Sequence, residues 1–278
     1  MMRHTLVRAG KLVWRATPSR AIRELYLQAF TRLVRQRRTT VEVEGIRFAL
    51  DLGETIDLSL FLEQYERDVV EVIRAVCRPG WRVLDIGANI GAHALRLARM
   101  VGPSGAVYAF EPTEYAFAKL RRNVELNGFG HLVPTRVALS DENRPAQPLD
   151  VRASWRTDGQ AQTAACTVDF RRLDDWCDEH GVDAVDFVKL DVDGFEYAVL
   201  AGGERVLSRA RPPLVMEVGA WHFADPARNP LSLLRRWGYR SYRVLRGERH
   251  AQPDELRRYL PEHDEAMSYS INVLATAE

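Results

Sequence analysis

From residue 81 onward the sequence alternates short apolar runs with amphipathic stretches, and this rhythm is the strongest constraint on the fold. The apolar runs are rich in Val, Leu, Ile and Phe, as in strands that are covered on both faces. They predict strands at about 82–87, 106–111, 133–139, 185–191, 213–218, 239–245 and 269–275. Helices are predicted between most of them, at about 91–101, 114–127, 173–180, 194–209 and 229–237. The alternation predicts an α/β fold, a doubly wound and mostly parallel sheet of seven strands. The last two strands lack an intervening helix, which indicates an antiparallel edge.

A basic segment occupies the first 40 residues. It holds ten Lys and Arg residues against one Glu, although the whole chain has a net charge of only +1. Thr17 and Pro18 are typical of a helix start, and apolar side chains then recur at helical spacing as far as Val34. This amphipathic helix at 17–38 predicts peripheral contact with a membrane, or docking on the body of the protein or on a second subunit, as in a homo-oligomer.

The composition of the remaining residues excludes several classes of protein. They carry 29 basic and 37 acidic side chains, which disfavours a nucleic-acid partner. The three cysteines are far apart, so neither a disulfide framework nor a Cys-based zinc site is expected, and a reducing compartment is favoured. No stretch has the length of a membrane span or of a secretory h-region. We therefore expect a cytoplasmic protein, with membrane association through the basic segment as an open alternative.

The chain is expected to have three regions. Residues 1–40 form the basic helical arm, and residues 41–80 contain a short hairpin around Gly45 and a long helix that packs on the core. Residues 81–278 form a Rossmann-like domain. Within it, the polar interval 142–165 is predicted to be a long variable loop, of the kind that often serves as a lid or an acceptor-binding element.

The run VLDIGANIG at 83–91 predicts a buried strand that enters a helix through a glycine turn. Gly87 allows a tight turn and close approach to a ligand, and Gly91 allows close packing of the helix on the strand. The two glycines do not make the dinucleotide fingerprint, which weakens an NAD-dependent oxidoreductase as an alternative. Asp85 would also oppose a pyrophosphate, whereas it suits a cationic ammonium group. The alternative interpretation is that this strand, turn and helix have a purely structural role.

A second carboxylate, Glu111, ends the next strand, 24 residues after Gly87. An acid at about this separation commonly binds a ribose diol. Asp85, Gly87 and Glu111 together indicate a pocket for a nucleoside with an amino-acid tail, which is S-adenosylmethionine.

The fourth strand carries the densest charge in an apolar setting, in the run VKLDVDGFE at 188–196. Because ligands bind beyond the carboxyl ends of such strands, Asp191 is the first candidate to orient or deprotonate an acceptor hydroxyl. Lys189 is expected to pair with one of the acids, since a lone buried ammonium is costly. Asp193 and Glu196 are alternatively a helix capping box. A cation held by Asp191, Asp193 and Glu217 is a third interpretation, and no metal is expected from this pattern alone.

Two further catalytic candidates follow the fifth strand, Glu217 and His222. Glu217 would lie beside the end of the fourth strand, and His222 has an ordinary pKa that suits proton abstraction. The acidic and His-containing segment at 262–265 is expected to be a solvated loop.

The runs VLDIGANIG, YAFEP and FVKLDVDGFEYAVLAGG, with FLEQYERDVV upstream, strongly resemble the FkbM family of S-adenosylmethionine-dependent methyltransferases. The similarity spans about 55–240. It implies a Rossmann-like sheet with strand order 3-2-1-4-5-7-6 and O-methylation, often of a sugar or secondary-metabolite hydroxyl. The residues that match the family's cofactor site are Asp85, Gly87, Asn89 and Gly91 in the loop, Glu111 at the ribose, and Asp141 in the stretch bordering the adenine. Asp193 stands where many members have Glu.

The sequence therefore predicts an S-adenosylmethionine-dependent O-methyltransferase for a small-molecule or glycan acceptor. Asp191, Glu217 and His222 are its candidate catalytic residues. The alternative from another class is an inactive membrane-surface or scaffolding protein that works through its basic helix.

Overall fold

A computed structural model of the chain describes residues 38–157, 161–260 and 270–277. The arm helix predicted at 17–38, apart from Arg38, and the segment at 262–265 lie outside the described residues. The strands are β1 Arg38–Val43, β2 Ile46–Asp51, β3 Arg82–Ile86, β4 Ala106–Phe110, β5 Leu132–Thr135, β6 Ala138–Leu139, β7 Arg144–Trp155, β8 Ala161–Arg171, β9 Phe187–Leu190, β10 Leu214–Gly219, β11 Ser241–Val244, β12 Arg249–Ala251 and β13 Ser270–Thr276.

The helices of the same ranges are α1 Thr55–Phe61, α2 Arg67–Val76, α3 Ala94–Val101, α4 Glu114–Asn127, α5 Leu173–His180, α6 Glu196–Gly202, α7 Glu204–Ala210 and α8 Pro230–Arg236. Short 3₁₀ segments cover Ala220–Phe223, Pro226–Arg228 and Pro253–Tyr259. None of the helices in the described ranges combines the length and the apolar character that crossing a membrane requires.

The described chain forms two compact units. The smaller contains β1, β2, α1 and residues 152–164, and the larger contains residues 66–151 and those from 165 onward. In the smaller unit β1 and β2 pair antiparallel around a turn at Glu44 and Gly45, which confirms the predicted hairpin. Its inward side chains, among them Phe48 and Leu50, are buried. The three regions proposed from the sequence stay a prediction.

An eight-stranded sheet forms the centre of the larger unit. Its order is β12-β11-β13-β10-β9-β3-β4-β5. Strands β10, β9, β3, β4 and β5 are parallel, whereas β13 runs antiparallel to both β10 and β11. Counted from β3, the order is the predicted 3-2-1-4-5-7-6 with β12 added at one edge. The Rossmann-like sheet is therefore confirmed, and the sequence analysis missed only the three-residue strand β12 among the strands of this sheet.

The core of the larger unit lies against the central strands. One hydrophobic cluster joins Leu84 of β3, Val188 of β9 and Met216 of β10 to Trp176 of α5 and Leu200 of α6. All four residues of β9 are buried, as expected for a strand covered on both faces. Lys189 is the charged residue of β9. Because charged side chains are rarely buried without partners, its burial indicates a candidate functional position at this point of the sheet.

The prediction of one long helix over 58–76 is wrong, because the chain forms two helices, α1 and α2, with a break between them. Glu63 and Glu66 in the break have positive φ angles of 59° and 37°. This left-handed conformation cannot continue an α-helix. The helix predicted over 194–209 is likewise divided, at Gly203, into α6 and α7.

The interval 142–165 is not the predicted loop. Most of it belongs to β7 and β8, which form a three-stranded sheet with β6 in the order β6-β8-β7. The strand predicted at 133–139 is divided between β5 and β6, which lie in different sheets. The strands of this sheet contribute only a small buried cluster, made of Ala138, Leu149, Val168 and Phe170. So few apolar side chains leave only a weak strand pattern in the sequence, which explains the error.

Candidate active site

The turn after β3 brings together four residues predicted to bind a cofactor: Asp85, Gly87, Asn89 and Gly91. Asp85 is completely buried, and among the residues that the structure describes neither of its carboxylate oxygens has a hydrogen-bond partner. Gly87 has a φ of 84°, and a methyl group on its Cα would lie 1.7 Å from the carbonyl oxygen of Asp191. Only glycine fits this approach. The turn therefore lies directly against the end of β9.

Glu111 connects the end of β4 to this turn. Its Oε2 accepts a hydrogen bond from the backbone N–H of Asn89 at 2.9 Å. Its Oε1 accepts from the N–H of Thr113 at 2.9 Å and from the Thr113 hydroxyl at 2.5 Å. Burial raises the pKa of Glu111, and these donors oppose the rise. The sequence analysis missed Thr113, although a hydroxyl two residues after a buried acid is a recognisable local partner.

Lys189 brings two of the predicted site residues together. Its Nζ lies 2.8 Å from Oδ2 of Asp191 and 4.0 Å from Oδ1 of Asp85. The pairing of Lys189 with an acid is confirmed. Burial raises the pKa of Asp85, and the charge of Lys189 opposes that rise. Because adjacent parallel strands end at one edge, β3 and β9 bring both acids to this ammonium.

A partly buried contact between Glu66 and His93 was not predicted from the sequence. Glu66, just before α2, places Oε2 2.5 Å from Nε2 of His93, which precedes α3. Burial acts to raise the pKa of Glu66, but the hydrogen bond and charge of His93, with the charge of Lys189, lower it to about 2. The signal in the sequence was the run FLEQYERDVV, which contains Glu66.

Three carboxylates meet at the ends of β9 and β10. Ligand oxygens of Asp191, Asp193 and Glu217 all lie within 4.8 Å of one another. Burial, followed by the charge of Asp191, raises the pKa of Glu217 to about 9, while a hydrogen bond from the Ser270 hydroxyl opposes the shift. Hard divalent cations take such ligands. The geometry therefore admits the cation that the sequence pattern alone did not favour.

His222 is buried, and both of its ring nitrogens are occupied. Nδ1 accepts a hydrogen bond from the backbone N–H of Gly219 at 3.1 Å. Nε2 lies 2.6 Å from Oε2 of Glu196, whose Oε1 accepts from the N–H of Val192 at 3.0 Å. A neutral imidazole that accepts at Nδ1 carries its proton on Nε2 and donates it to Glu196. This arrangement favours a role in holding the ends of β9 and β10 together, and the role of general base stays a prediction.

The capping box proposed for Asp193 and Glu196 does not form. Helix α6 begins at Glu196, its cap is Phe195, and no side chain caps it. Asp193 is exposed, with a φ of 50°. Glu196 instead turns towards Val192 and His222.

Asp141 follows β6 and is half-buried. Its Oδ1 accepts a hydrogen bond from the Ser140 hydroxyl at 3.1 Å, and its Oδ2 lies 3.4 Å from Nη2 of Arg228. These contacts involve neither Asp85 nor Glu111, so its place at the adenine stays a prediction.

The model of the FkbM methyltransferase domain matches residues 85–267, which is more than half of the chain and includes every residue predicted for the site. The chain belongs to the FkbM methyltransferase family. This confirms the family that the motifs of strands β3, β4 and β9 indicated. The matched region of this FkbM family member starts at Asp85.

Two curated FkbM-type relatives are similar over about half of the chain. The 2-O-methyltransferase NoeI of Sinorhizobium fredii is 29% identical over 160 residues, 51% of this chain and 65% of NoeI. The 31-O-demethyl-FK506 methyltransferase FkbM of Streptomyces tacrolimicus is 30% identical over 166 residues, 46% of this chain and 61% of that protein. The matches thus cover less than two thirds of either relative. Among solved structures, an FkbM methyltransferase from Methylobacillus flagellatus is 17% identical, with a TM-score of 0.46, over 90% of this chain and 60% of that one.

Proposed function

We propose that this protein is an S-adenosylmethionine-dependent O-methyltransferase that acts on a hydroxyl of a sugar, glycan or secondary metabolite. Its family supports methyl transfer. The names of the two curated relatives support oxygen as the acceptor atom. The observation that carries the proposal is Asp85 beside the Gly87 turn, a completely buried carboxylate that has no hydrogen-bond partner in the described part of the chain. Buried polar groups are normally satisfied, so such a carboxylate is suited to receive donors from a ligand.

The residues present fit this cofactor. S-adenosylmethionine supplies an electrophilic methyl group on a sulfonium. Asp85 and the Gly87 turn would hold its amino-acid part, because a carboxylate favours an ammonium. Glu111 would hold the ribose, since a carboxylate offers about four lone-pair positions and the contacts of Asn89 and Thr113 use three.

Asp191 is placed to orient the acceptor hydroxyl. The ion pair with Lys189 fixes its carboxylate at the end of β9, where the remaining lone pairs can accept a hydroxyl proton. Orientation of the reacting oxygen and removal of its proton are the two contributions that a side chain can make here. Glu217 is the second candidate, because one of its carboxylate oxygens lies within 4.8 Å of one of Asp191; its pKa is raised to about 9, so it can accept the proton only in its ionised form, above neutral pH. His222 acts through the backbone that it holds.

We also propose that the protein works in the cytoplasm and contacts a membrane surface or a second subunit through residues 17–38. The ten basic residues of the first 40 support this contact. The acidic excess of the rest of the chain supports an acceptor other than nucleic acid. Co-sedimentation with anionic vesicles, and the mass in solution, should both be compared with an R23E/R32E/R35E variant. If the variant keeps both the vesicle binding and the mass in solution of the wild type, the contact is refuted.

The proposed function is tested by calorimetric titration of the full chain. S-adenosylmethionine and S-adenosylhomocysteine should bind, NAD should not, and Asp85→Asn should weaken binding at least about tenfold, the loss expected for one charged pair. Asp186→Asn, at the opposite end of β9, is a matched control of the same chemistry. A folded protein that binds neither cofactor form would refute the proposal.

A further inference from the structure

Exposed apolar side chains gather at one end of the candidate site. In the part of the chain that the structure describes, three large hydrophobic residues are exposed: Val133, Phe195 and Trp221. Phe195 and Trp221 lie in the segments that follow β9 and β10, the two strands whose ends carry Asp191 and Glu217, whereas Val133 lies within β5. Single exposed hydrophobic residues are common, but two at the ligand edge of a parallel sheet are candidates for a binding surface.

The indole of Trp221 is held in a fixed orientation. A methyl group on Gly219 would lie 2.3–2.4 Å from three atoms of the six-membered ring, so the ring packs directly over this glycine. A methyl group on Gly194 would lie 3.4 Å from the indole Cδ1. The indole nitrogen lies 3.1 Å from Nε2 of His222, whose proton goes to Glu196, so the packing against the two glycines, and not a hydrogen bond, fixes the ring. Trp221 nevertheless keeps 39% of its surface exposed.

The carboxylates at the ends of the same two strands are hydrogen-bond acceptors that already have protein donors. Lys189 binds Asp191, and the Ser270 hydroxyl binds Glu217. Their oxygens keep lone pairs for a further hydroxyl, and Lys189 offsets one of the negative charges. A flat aromatic face beside such acceptors suits a saturated ring with hydroxyl groups. Its C–H bonds contact the electron-rich face, and its hydroxyls donate to the carboxylates.

We propose that Trp221, held in place by Gly219, stacks against the ring of a hydroxylated acceptor and presents one of its hydroxyl groups to Asp191. Phe195 forms the second apolar side of this acceptor subsite. This inference rests on the proposed function and adds a specificity-determining residue to it. The pair of His222 and Glu196 acts on the subsite indirectly, because it holds Gly219 and Val192.

The test is saturation-transfer NMR on the full chain loaded with S-adenosylhomocysteine. The probes are methyl glycosides of glucose, galactose and rhamnose and trans-cyclohexane-1,2-diol, with tetramethylammonium as a cationic competitor. Trp221→Ala removes the ring, and Gly219→Ala moves it. The φ of Gly219 is −114°, which alanine also adopts, and the three atoms nearest to the added methyl all belong to the indole. Trp221→Phe restores an aromatic face, and Val133→Ala is the matched control for the loss of an exposed hydrophobic side chain.

At least one probe should bind, with the strongest saturation on the C–H protons of one ring face. Trp221→Ala and Gly219→Ala should weaken its affinity about three- to tenfold, the range expected for one aromatic contact. Trp221→Phe should recover part of the loss, and Val133→Ala should change nothing. Three outcomes would overturn the inference: no probe binds the loaded protein, binding survives Trp221→Ala, or only tetramethylammonium binds. Calorimetry on the same samples separates these outcomes from a failure to bind cofactor, which would overturn the proposed function instead.

Discussion

The ammonium of Lys189 lies 2.8 Å from a carboxylate oxygen of Asp191, and both side chains belong to the end of β9. The same ammonium is 4.0 Å from Asp85 at the end of β3. One buried cation therefore serves a carboxylate assigned to the cofactor and another assigned to the acceptor. This arrangement makes Lys189 the residue on which the charge balance of the site depends.

Replacing Lys189 with Met should destabilise the protein by about 3–5 kcal/mol, because buried carboxylates lose their cation. Urea unfolding monitored by circular dichroism measures this. A K189M/D85N double variant should recover part of the loss, since one of the two charges is then removed. Equal stability of wild type and Lys189→Met would contradict the assigned role.

Asp191→Asn should lower turnover about 10²–10⁴-fold, the usual contribution of a group that moves a proton. Cofactor affinity should stay within about twofold, because Asp85 and Glu111 are intact. Asp193→Asn, two residues away and exposed, is the control and should have a much smaller effect. Turnover requires an identified acceptor, which a screen of glycans and metabolites for a one-methyl gain in mass would supply. Unchanged turnover would remove Asp191 from the mechanism.

The stability of the protein should fall as the pH rises from about 4.5 towards 9, to the extent that Glu217 controls it. The folded pKa of Glu217 is raised to about 9, above its ordinary value of 4.5, so the folded state binds a proton that the unfolded state has lost. Glu217→Gln cannot titrate and should show a flatter dependence, with a melting temperature several degrees above wild type at pH 8. Thermal melts with a chelator present measure this. If the melting temperatures of wild type and Glu217→Gln change with pH in the same way across this range, Glu217 is ionised in the folded protein.

Glu66 should make the stability of the protein depend on pH in the opposite direction. Its folded pKa is lowered to about 2, so it contributes stability that is complete above pH 4.5 and is lost as the pH falls towards 2. The difference in unfolding free energy between wild type and Glu66→Gln should therefore be largest near neutral pH and shrink in acid. Chemical unfolding at pH 7, 4 and 3 measures this difference. A difference that does not depend on pH would mean that the pair with His93 is not ionic.

His222→Asn should lower turnover without changing the shape of its pH dependence. The imidazole holds the backbone of Gly219 and is bound to Glu196, so its loss displaces the neighbouring groups. A pH–rate profile of the two proteins decides between this role and that of base. If the variant lost the acidic limb of the profile, His222 would be the general base after all.

The alternation of strands and helices from residue 81 was predictable because each element depends on local pattern. Continuous apolar runs indicate buried strands, and the glycine turn at 87 follows a short motif. The motifs of β3, β4 and β9 indicated the family, and the resemblance to that family implied the strand order. Asp85 and Asp191 could be expected at one edge, because parallel strands end there together.

The tertiary structure alone decided which charges pair and which side chains come together at the candidate site. Glu66 and His93 are 27 residues apart and Glu196 and His222 are 26 apart, so no local pattern connects them. The break before α2 and the strands β7 and β8 could not be predicted either, because local sequence pattern does not show them. A left-handed residue and a sheet with few buried side chains leave little periodic signal. The orientation of Trp221 depends on Gly219, because the indole ring occupies the space that a side chain at this position would fill. Such contacts follow from register and packing between distant segments, which the sequence determines only through the whole fold.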